Sequence, residues 1–169
     1  MRHFLFAAIL ACGFAFPAYA EATVIYLVRH TEKQHDGTKN PSLTPGGVAR
    51  AGALAALLKD VPFTKVYSTN YKRTRMTAAL VAAQENLDIS PCGKCSPEDM
   101  PALAKRLKDL GGTILMVAHS HTTPMLAAEL TGKPLPELAE HQYDHVYVVT
   151  VEDSGKTTLT IQYTEPRTP

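Results

Sequence analysis

The sequence predicts an α/β domain, a three-layer α/β/α sandwich around a mostly parallel sheet that ends in an antiparallel hairpin. Three observations predict it. Thr23–Val28 and Thr113–Ala118 are continuous apolar, β-branched runs, the pattern of strands buried on both faces. Strand-like and helix-like segments alternate between them, which calls for parallel strands joined by crossovers. Val146–Val151 and Thr157–Tyr163 then flank Asp153-Ser154-Gly155, a hairpin turn.

Each element has a local reason. The stretch from Thr31 to Ser42 is polar and contains Asp36-Gly37 and Asn40-Pro41, so it is a loop. Thr44 is placed to cap a helix whose first residue is Pro45, and Val48, Ala51, Ala55 and Leu58 mark its buried face. Thr64–Tyr67 reads as a short strand and is followed by a helix from Tyr71 to Gln84. Leu87–Ser90 reads as another short strand. A helix starts at Pro97 and runs to Leu110, where Gly111-Gly112 stop it, and a further helix covers Thr122–Leu130 before Gly132.

Residues 1–20 are set apart. Met1-Arg2-His3, the apolar stretch Phe4–Phe16 and the ending Ala18-Tyr19-Ala20 have the parts of a secretory signal peptide, with cleavage expected between Ala20 and Glu21. The apolar stretch is short for a membrane span, and Cys12 lies early for a lipoprotein signal. The expectation is therefore a single domain over residues 21–169, periplasmic or secreted, with no stable membrane insertion after cleavage. An oxidising compartment makes Cys92 and Cys95 a disulfide pair. Ser90-Pro91 and Ser96-Pro97 put that pair in a loop, and the Cys-Gly-Lys-Cys spacing leaves redox or metal use as alternatives.

Charge excludes one class of partner. The 17 Lys and Arg against 16 Asp and Glu nearly cancel and form no basic run, so nucleic acid is not expected as a partner. The chemistry is sought instead just past the carboxyl ends of the strands, where open α/β sheets bind ligands. Arg29-His30-Thr31-Glu32 follows the first strand, Arg73 and Arg75 follow the turn after Tyr67, and His119-Ser120-His121 follows Thr113–Ala118. If these strands are parallel, two histidines and at least two arginines converge at one edge, beside the amino ends of two helices. That set suits a phosphate: guanidinium groups grip its oxygens, a neutral imidazole attacks phosphorus, and a second, protonated imidazole holds an oxygen.

In these motifs the sequence resembles the histidine phosphatase, or phosphoglycerate mutase-like, superfamily, and in particular its short exported bacterial members. The resemblance runs from Tyr26-Leu27-Val28-Arg29-His30-Thr31-Glu32 through Leu43-Thr44-Pro45-Gly46-Gly47. It continues over Val66-Tyr67-Ser68-Thr69 with Arg73 and Thr77-Ala78, then Val117-Ala118-His119-Ser120, to Tyr143-Asp144. It implies a phosphoglycerate mutase-like fold and hydrolysis of phosphomonoesters through a phosphohistidine on His30, with no cofactor or metal. Arg29, Arg73 and His119 would clamp the phosphoryl oxygens, and Thr31 and His121 would add substrate contacts. Arg73 fits the second-arginine motif better than Arg75.

Two departures stand out. The general acid of larger members, in a Leu-x-Glu pattern after the second-arginine helix, has no counterpart between Glu85 and Asp99; Glu85, Asp88, Glu98 and Asp99 are the carboxylates available there. The short insertion also implies an open site, which favours hydrolysis over mutase chemistry and admits small or macromolecular phosphorylated substrates. The alternatives are a phosphate-binding member without catalysis and, with less support, a metal or thiol-redox protein built on His119, His121, His141 or His145 and the cysteines.

Overall fold

The structure, a computed structural model, describes residues 22–168; the expected signal peptide lies outside them. The elements in chain order are β1 (Thr23–Arg29), α1 (Pro45–Leu57), β2 (Lys65–Ser68), α2 (Lys72–Gln84), β3 (Ile89–Pro91) and α3 (Met100–Asp109). They are followed by β4 (Thr113–Ala118), α4 (Thr122–Thr131), β5 (His145–Val151) and β6 (Thr157–Tyr163). The six strands form one sheet in the order β3-β2-β4-β1-β5-β6. β1, β4, β2 and β3 run parallel, and β5 and β6 are antiparallel additions on the β1 side.

The side-chain alternation of a strand explains why β1 and β4 read as unbroken apolar runs. Ile25, Leu27, Ile114 and Met116 pack against α3 and α4 through Met100, Leu103, Leu107, Leu126 and Leu130. Val28, Leu115 and Val117 point the other way, against Leu54 of α1, Leu58 just after it, and Ala78 and Val81 of α2. The helices therefore cover both faces of the sheet. Each of these side chains is at most 3 % exposed, and complete burial of a Leu or Ile stabilises by about 1.5–3 kcal/mol.

Most element ends follow their local chemistry. The Thr44 hydroxyl accepts from the Gly47 amide at 3.0 Å and Pro45 opens α1. Gly132, in the left-handed region at φ 68, ends α4. Several ends fall one residue from the sequence expectation, and two differ by more. Pro97–Asp99 forms a 3-10 turn before α3, because Pro101 has no amide to bond the Pro97 carbonyl; the Met100 amide does so instead. The third strand starts two residues late, since the Leu87 amide is held by Ala82 O at 2.9 Å and Asn86 takes φ 52 to close α2.

The carboxyl-terminal segment is tied down by two buried groups. Arg50 donates from Nε to Glu32 Oε1 at 2.7 Å and from Nη1 to the Pro166 carbonyl at 2.6 Å. The Asp144 carboxylate accepts from Arg167 Nε, the Thr168 amide, the Thr168 hydroxyl and His145 Nδ1 at 2.6–3.0 Å. These bonds fix Tyr143, the residue before Asp144, at the site edge. Gly47 is also dictated by packing: a Cβ there would lie 2.2 Å from the Glu32 carbonyl oxygen.

Candidate active site

The parallel strands end in register, and the residue after each end faces the same edge. Arg29 pairs with Ala118, Ser68 with Val117, and Ser68 with Pro91. One residue further on, the amides of His30, Thr69 and Cys92 extend these ladders to Ala118 O, Val117 O and Ser68 O at 2.9, 3.2 and 3.0 Å. His119 follows Ala118 directly. The amino ends of α2 and α4, whose N-cap residues Tyr71 and His121 make no side-chain cap bond, open on the same edge.

His30 is buried, and its Nδ1 lies 2.7 Å from the Thr31 carbonyl. A carbonyl only accepts, so Nδ1 carries the proton and Nε2 keeps its lone pair. Burial, outweighing that bond, and then His119, Arg29 and Arg73 lower the His30 pKa from 6.5 to about 3. The ring is neutral at physiological pH, as a nucleophile must be.

The His119 ring lies edge-on to His30, with centroids 5.5 Å apart. Its tautomer follows from a chain of hydroxyls. Thr74 Oγ1 donates to the backbone carbonyls of Thr69 and Tyr71, so it accepts from Thr69 Oγ1 at 2.9 Å. The Thr69 hydroxyl has then spent its proton and accepts from His119 Nε2, at 3.0 Å. His119 thus presents Nε2–H. Burial first, then Arg73 and Arg29, bring its pKa down to about 4, so without a bound anion it is neutral.

The two arginines are held on tyrosine rings. The Arg29 guanidinium carbon stands 4.0 Å from the Tyr143 centroid and that of Arg73 4.3 Å from the Tyr71 centroid. Arg29 is almost fully buried. Its Nη1 donates to the carbonyls of Ala139 and Gln142 at 2.8 Å, and Nη2 to Glu140 Oε2 at 3.0 Å, which leaves Nε without a partner. Arg73 Nε is likewise buried and unpartnered. Arg73 lines two adjoining cavities. One, of about 390 Å³, is also walled by Thr69, Tyr71, His119, Cys92 and Cys95; the other, of about 480 Å³, by Lys33, His35 and Lys39. Arg75 is exposed and lines neither.

Of the expected site residues, Arg29, His30, Thr31 and His121 line neither cavity, and Thr31 and His121 have partners of their own. The Thr31 hydroxyl donates to the Gly47 carbonyl at 2.8 Å, and the Thr31 amide donates to Thr77 Oγ1 at 3.1 Å. It is buried in the α1–α2 junction and braces the His30 backbone rather than facing either cavity. His121 is half-exposed; its Nδ1 lies 2.5 Å from Glu137 Oε1 and it lines neither cavity. No three His, Cys, Asp or Glu groups come together as a metal site among the described residues. Cys92 and Cys95 are joined in a disulfide, and its loop is part of the site wall.

The carboxylates considered for an acid do not reach the cavities. Asp99 is bound to the Ser96 amide and hydroxyl, and Glu85, Asp88 and Glu98 line neither space. The acid that does touch the site is Glu140, which pairs with Arg29 and, at 3.5 Å, with Lys33. Burial pushes its pKa up, but Arg29 and Lys33 together hold it below the usual value, so it is an anion rather than a proton donor. Sequence gave no signal for Glu140, which stands far along the chain from Arg29. Thr69 and Tyr71, by contrast, lie inside the strand-to-helix turn that carries Arg73.

The sequence profile of the family described as histidine phosphatase superfamily (branch 1) matches residues 25–93. No curated protein matches the chain by sequence. Among solved structures, the chain is similar to the protein histidine phosphatase SixA complexed with tungstate, with a TM-score of 0.71 and 23% identity over 83% of this chain and 96% of that one. It is similar to a phosphoserine phosphatase from Entamoeba histolytica in complex with 3-phosphoglyceric acid, with a TM-score of 0.60 and 16% identity over 85% and 97% of the two chains. A phosphoglycerate mutase from Bacillus anthracis str. Sterne gives a TM-score of 0.60 and 20% identity over 83% and 92%. These identities speak for the fold, and the profile speaks for the segment 25–93, which carries Arg29, His30 and Arg73 but not His119. The chain thus has the phosphoglycerate mutase-like fold, and its residues 25–93 are similar to branch 1 of the histidine phosphatase superfamily.

Proposed function

We propose that the protein hydrolyses phosphomonoesters in two steps, with His30 as the nucleophile. The observation that carries the reading is the state of His30: neutral, with Nδ1–H tied to the Thr31 carbonyl and Nε2 free beside two arginines. In the first step Nε2 attacks phosphorus. The P–N bond forms as the ester P–O bond breaks, and the electron pair leaves with the ester oxygen, which takes a proton from water. In the second step water attacks phosphorus, the P–N pair returns to Nε2, and the water's proton passes to solvent as phosphate departs. Arg29 through Nε, Arg73, and His119, whose Nε2–H would turn from the Thr69 hydroxyl to the phosphoryl group, supply the donors for the equatorial oxygens, where charge develops.

With Glu140 ionised and no carboxylate of the 85–99 stretch at the cavities, the leaving group departs without a dedicated acid. That favours aryl oxides and other good leaving groups, among them the imidazole of a phosphohistidine; one similar structure is named a protein histidine phosphatase. The same absence supports a second reading, a phosphate-binding protein without turnover. Residues 1–20 support export, with residues 21–169 acting in the periplasm or outside the cell.

The test is release of phosphate from 4-nitrophenyl phosphate in chelator-treated buffer by wild type and His30→Ala, with mass spectrometry for an acid-labile phosphoryl group on His30. Turnover that falls at least 10³-fold in the variant, with vanadate inhibition of wild type, is expected. Equal turnover in the variant removes His30 from the mechanism. Binding of vanadate with no turnover in wild type favours the non-catalytic reading.

A further inference from the structure

The second cavity that Arg73 lines has a one-sided charge. It measures about 480 Å³ and is lined by Lys33, Gln34, His35, Gly37, Thr38, Lys39, Pro41 and Arg73. Two lysines, an arginine and an imidazole line it, and no carboxylate does, in a chain whose charges otherwise nearly cancel. The one acid within this stretch, Asp36, is turned into its own loop, where it accepts from the Thr38 amide at 3.0 Å and the Thr38 hydroxyl at 2.7 Å. Glu140, on the rim, answers Lys33 at 3.5 Å and shares its charge with Arg29.

The wall is built rather than loose. The Gln34 amide donates to Ser42 O at 2.9 Å, and Lys33 bridges to Leu43 across the loop. The Asn40 side-chain oxygen accepts from the Lys72 amide at 2.8 Å, which fastens the loop to the first turn of α2, one residue from Arg73. Pro41 is buried. The cavity is the size of a small-molecule site. It meets the phosphoryl site at Arg73, whose buried Nε has no partner.

We infer that this cavity is a second anion subsite, and that the preferred substrate carries a second phosphate on the part of the molecule that stays behind when the scissile phosphoryl group moves to His30. The inference rests on the reading that the scissile phosphate sits between Arg29, Arg73 and His119. Lys33 and Lys39 are point charges suited to a dianion, and His35 offers an N–H in either protonation state. A leaving group without a second anion, whatever its departure chemistry, would leave these amines with nothing to bind. A lone carboxylate would satisfy only part of the set.

The experiment compares glucose 6-phosphate with glucose 1,6-bisphosphate. Dissociation constants are measured by calorimetry on His30→Ala, which does not hydrolyse them, and on His30→Ala combined with Lys33→Ala and Lys39→Ala. In parallel, wild-type turnover of 4-nitrophenyl phosphate tests the His30 reading alone. The expected result is binding of the bisphosphate at least tenfold tighter than the monophosphate, with the ratio falling to within twofold when both lysines are removed. Lys39→Glu, a single exposed change, is expected to lower the ratio as well and guards against a folding defect in the multiple variant. Equal affinities for the two ligands, binding of neither, or a ratio that survives loss of both lysines would each overturn the subsite. A bisphosphate preference without aryl phosphate turnover would keep the subsite and remove the His30 chemistry.

Discussion

Acid should destabilise this fold through His30. In the folded chain the imidazole titrates at about 3, against 6.5 for the ordinary group. The unfolded chain therefore takes up a proton, as pH falls through 6.5, that the folded chain refuses until about 3. Stability from this group is complete above the unfolded pKa and drains away below it. Between pH 7.5 and 5.0 the unfolded histidine gains about 1.5 decades of protonation free energy, or about 2 kcal/mol, while the folded one stays neutral. For a domain of this size that corresponds to roughly 4–8 °C in Tm. The control is His30→Asn, whose amide can still donate to the Thr31 carbonyl. Urea unfolding at the two pH values should show wild type losing about 2 kcal/mol more than the variant. His119, also held neutral, contributes in the same direction but is present in both proteins. If the two proteins lost stability equally, His30 would not be the buried neutral group that the two-step chemistry requires.

Three further outcomes follow from the geometry. Arg73→Ala should lower kcat/KM for 4-nitrophenyl phosphate by about 10²–10³-fold, the usual cost of one donor to developing charge; a loss under threefold would mean that another cation grips the phosphoryl group. Across aryl phosphates of rising phenol pKa, the rate of phosphoryl transfer should fall steeply, because no protonated carboxyl faces the leaving group; a flat series measured by burst kinetics would reveal a proton donor. Gly47→Ala should cost about 1–3 kcal/mol in thermal unfolding, because the added methyl meets the Glu32 carbonyl oxygen, and an unchanged Tm would show that the strand end after His30 yields freely.

Local chemistry made most of the fold legible. β1 and β4 announce themselves because both faces of each are buried, and Thr44-Pro45 marks a helix start through two independent preferences. The convergence of His30 and His119 followed from strand direction alone, since two parallel neighbours that end in register must deliver their next residues to one place. The same logic extends to β3. Its end is in register with Ser68, which puts Cys92 on the site wall, but a three-residue strand has too little pattern to disclose its register beforehand. Thr31 illustrates a different limit. Its hydroxyl could face a phosphate or a carbonyl, and the choice is made by Gly47, which brings the α1 backbone close to the strand end. Glu140 could not be read at all, because an exposed acid has no pattern until the 139–143 segment folds over Arg29.

The charge state of His119 carries the deepest lesson about the site. A sequence reading places a second histidine beside a phosphate and gives it a proton, because the finished complex wants a cation there. The empty site is a different electrostatic problem. Arg29 and Arg73 stay charged without a ligand, and with burial they suppress protonation of both imidazoles. Glu140 relieves only the Arg29 side of that field, and Arg73 is left with a tyrosine ring. On the proposed mechanism a bound phosphate dianion would oppose that field at His119, while the bond to Thr31 would keep the His30 Nε2 lone pair available. The two histidines thus differ by their partners, not by their burial: a carbonyl fixes the His30 tautomer with Nε2 unprotonated, and the threonine relay fixes the His119 tautomer with Nε2 protonated, the division that the proposed mechanism requires.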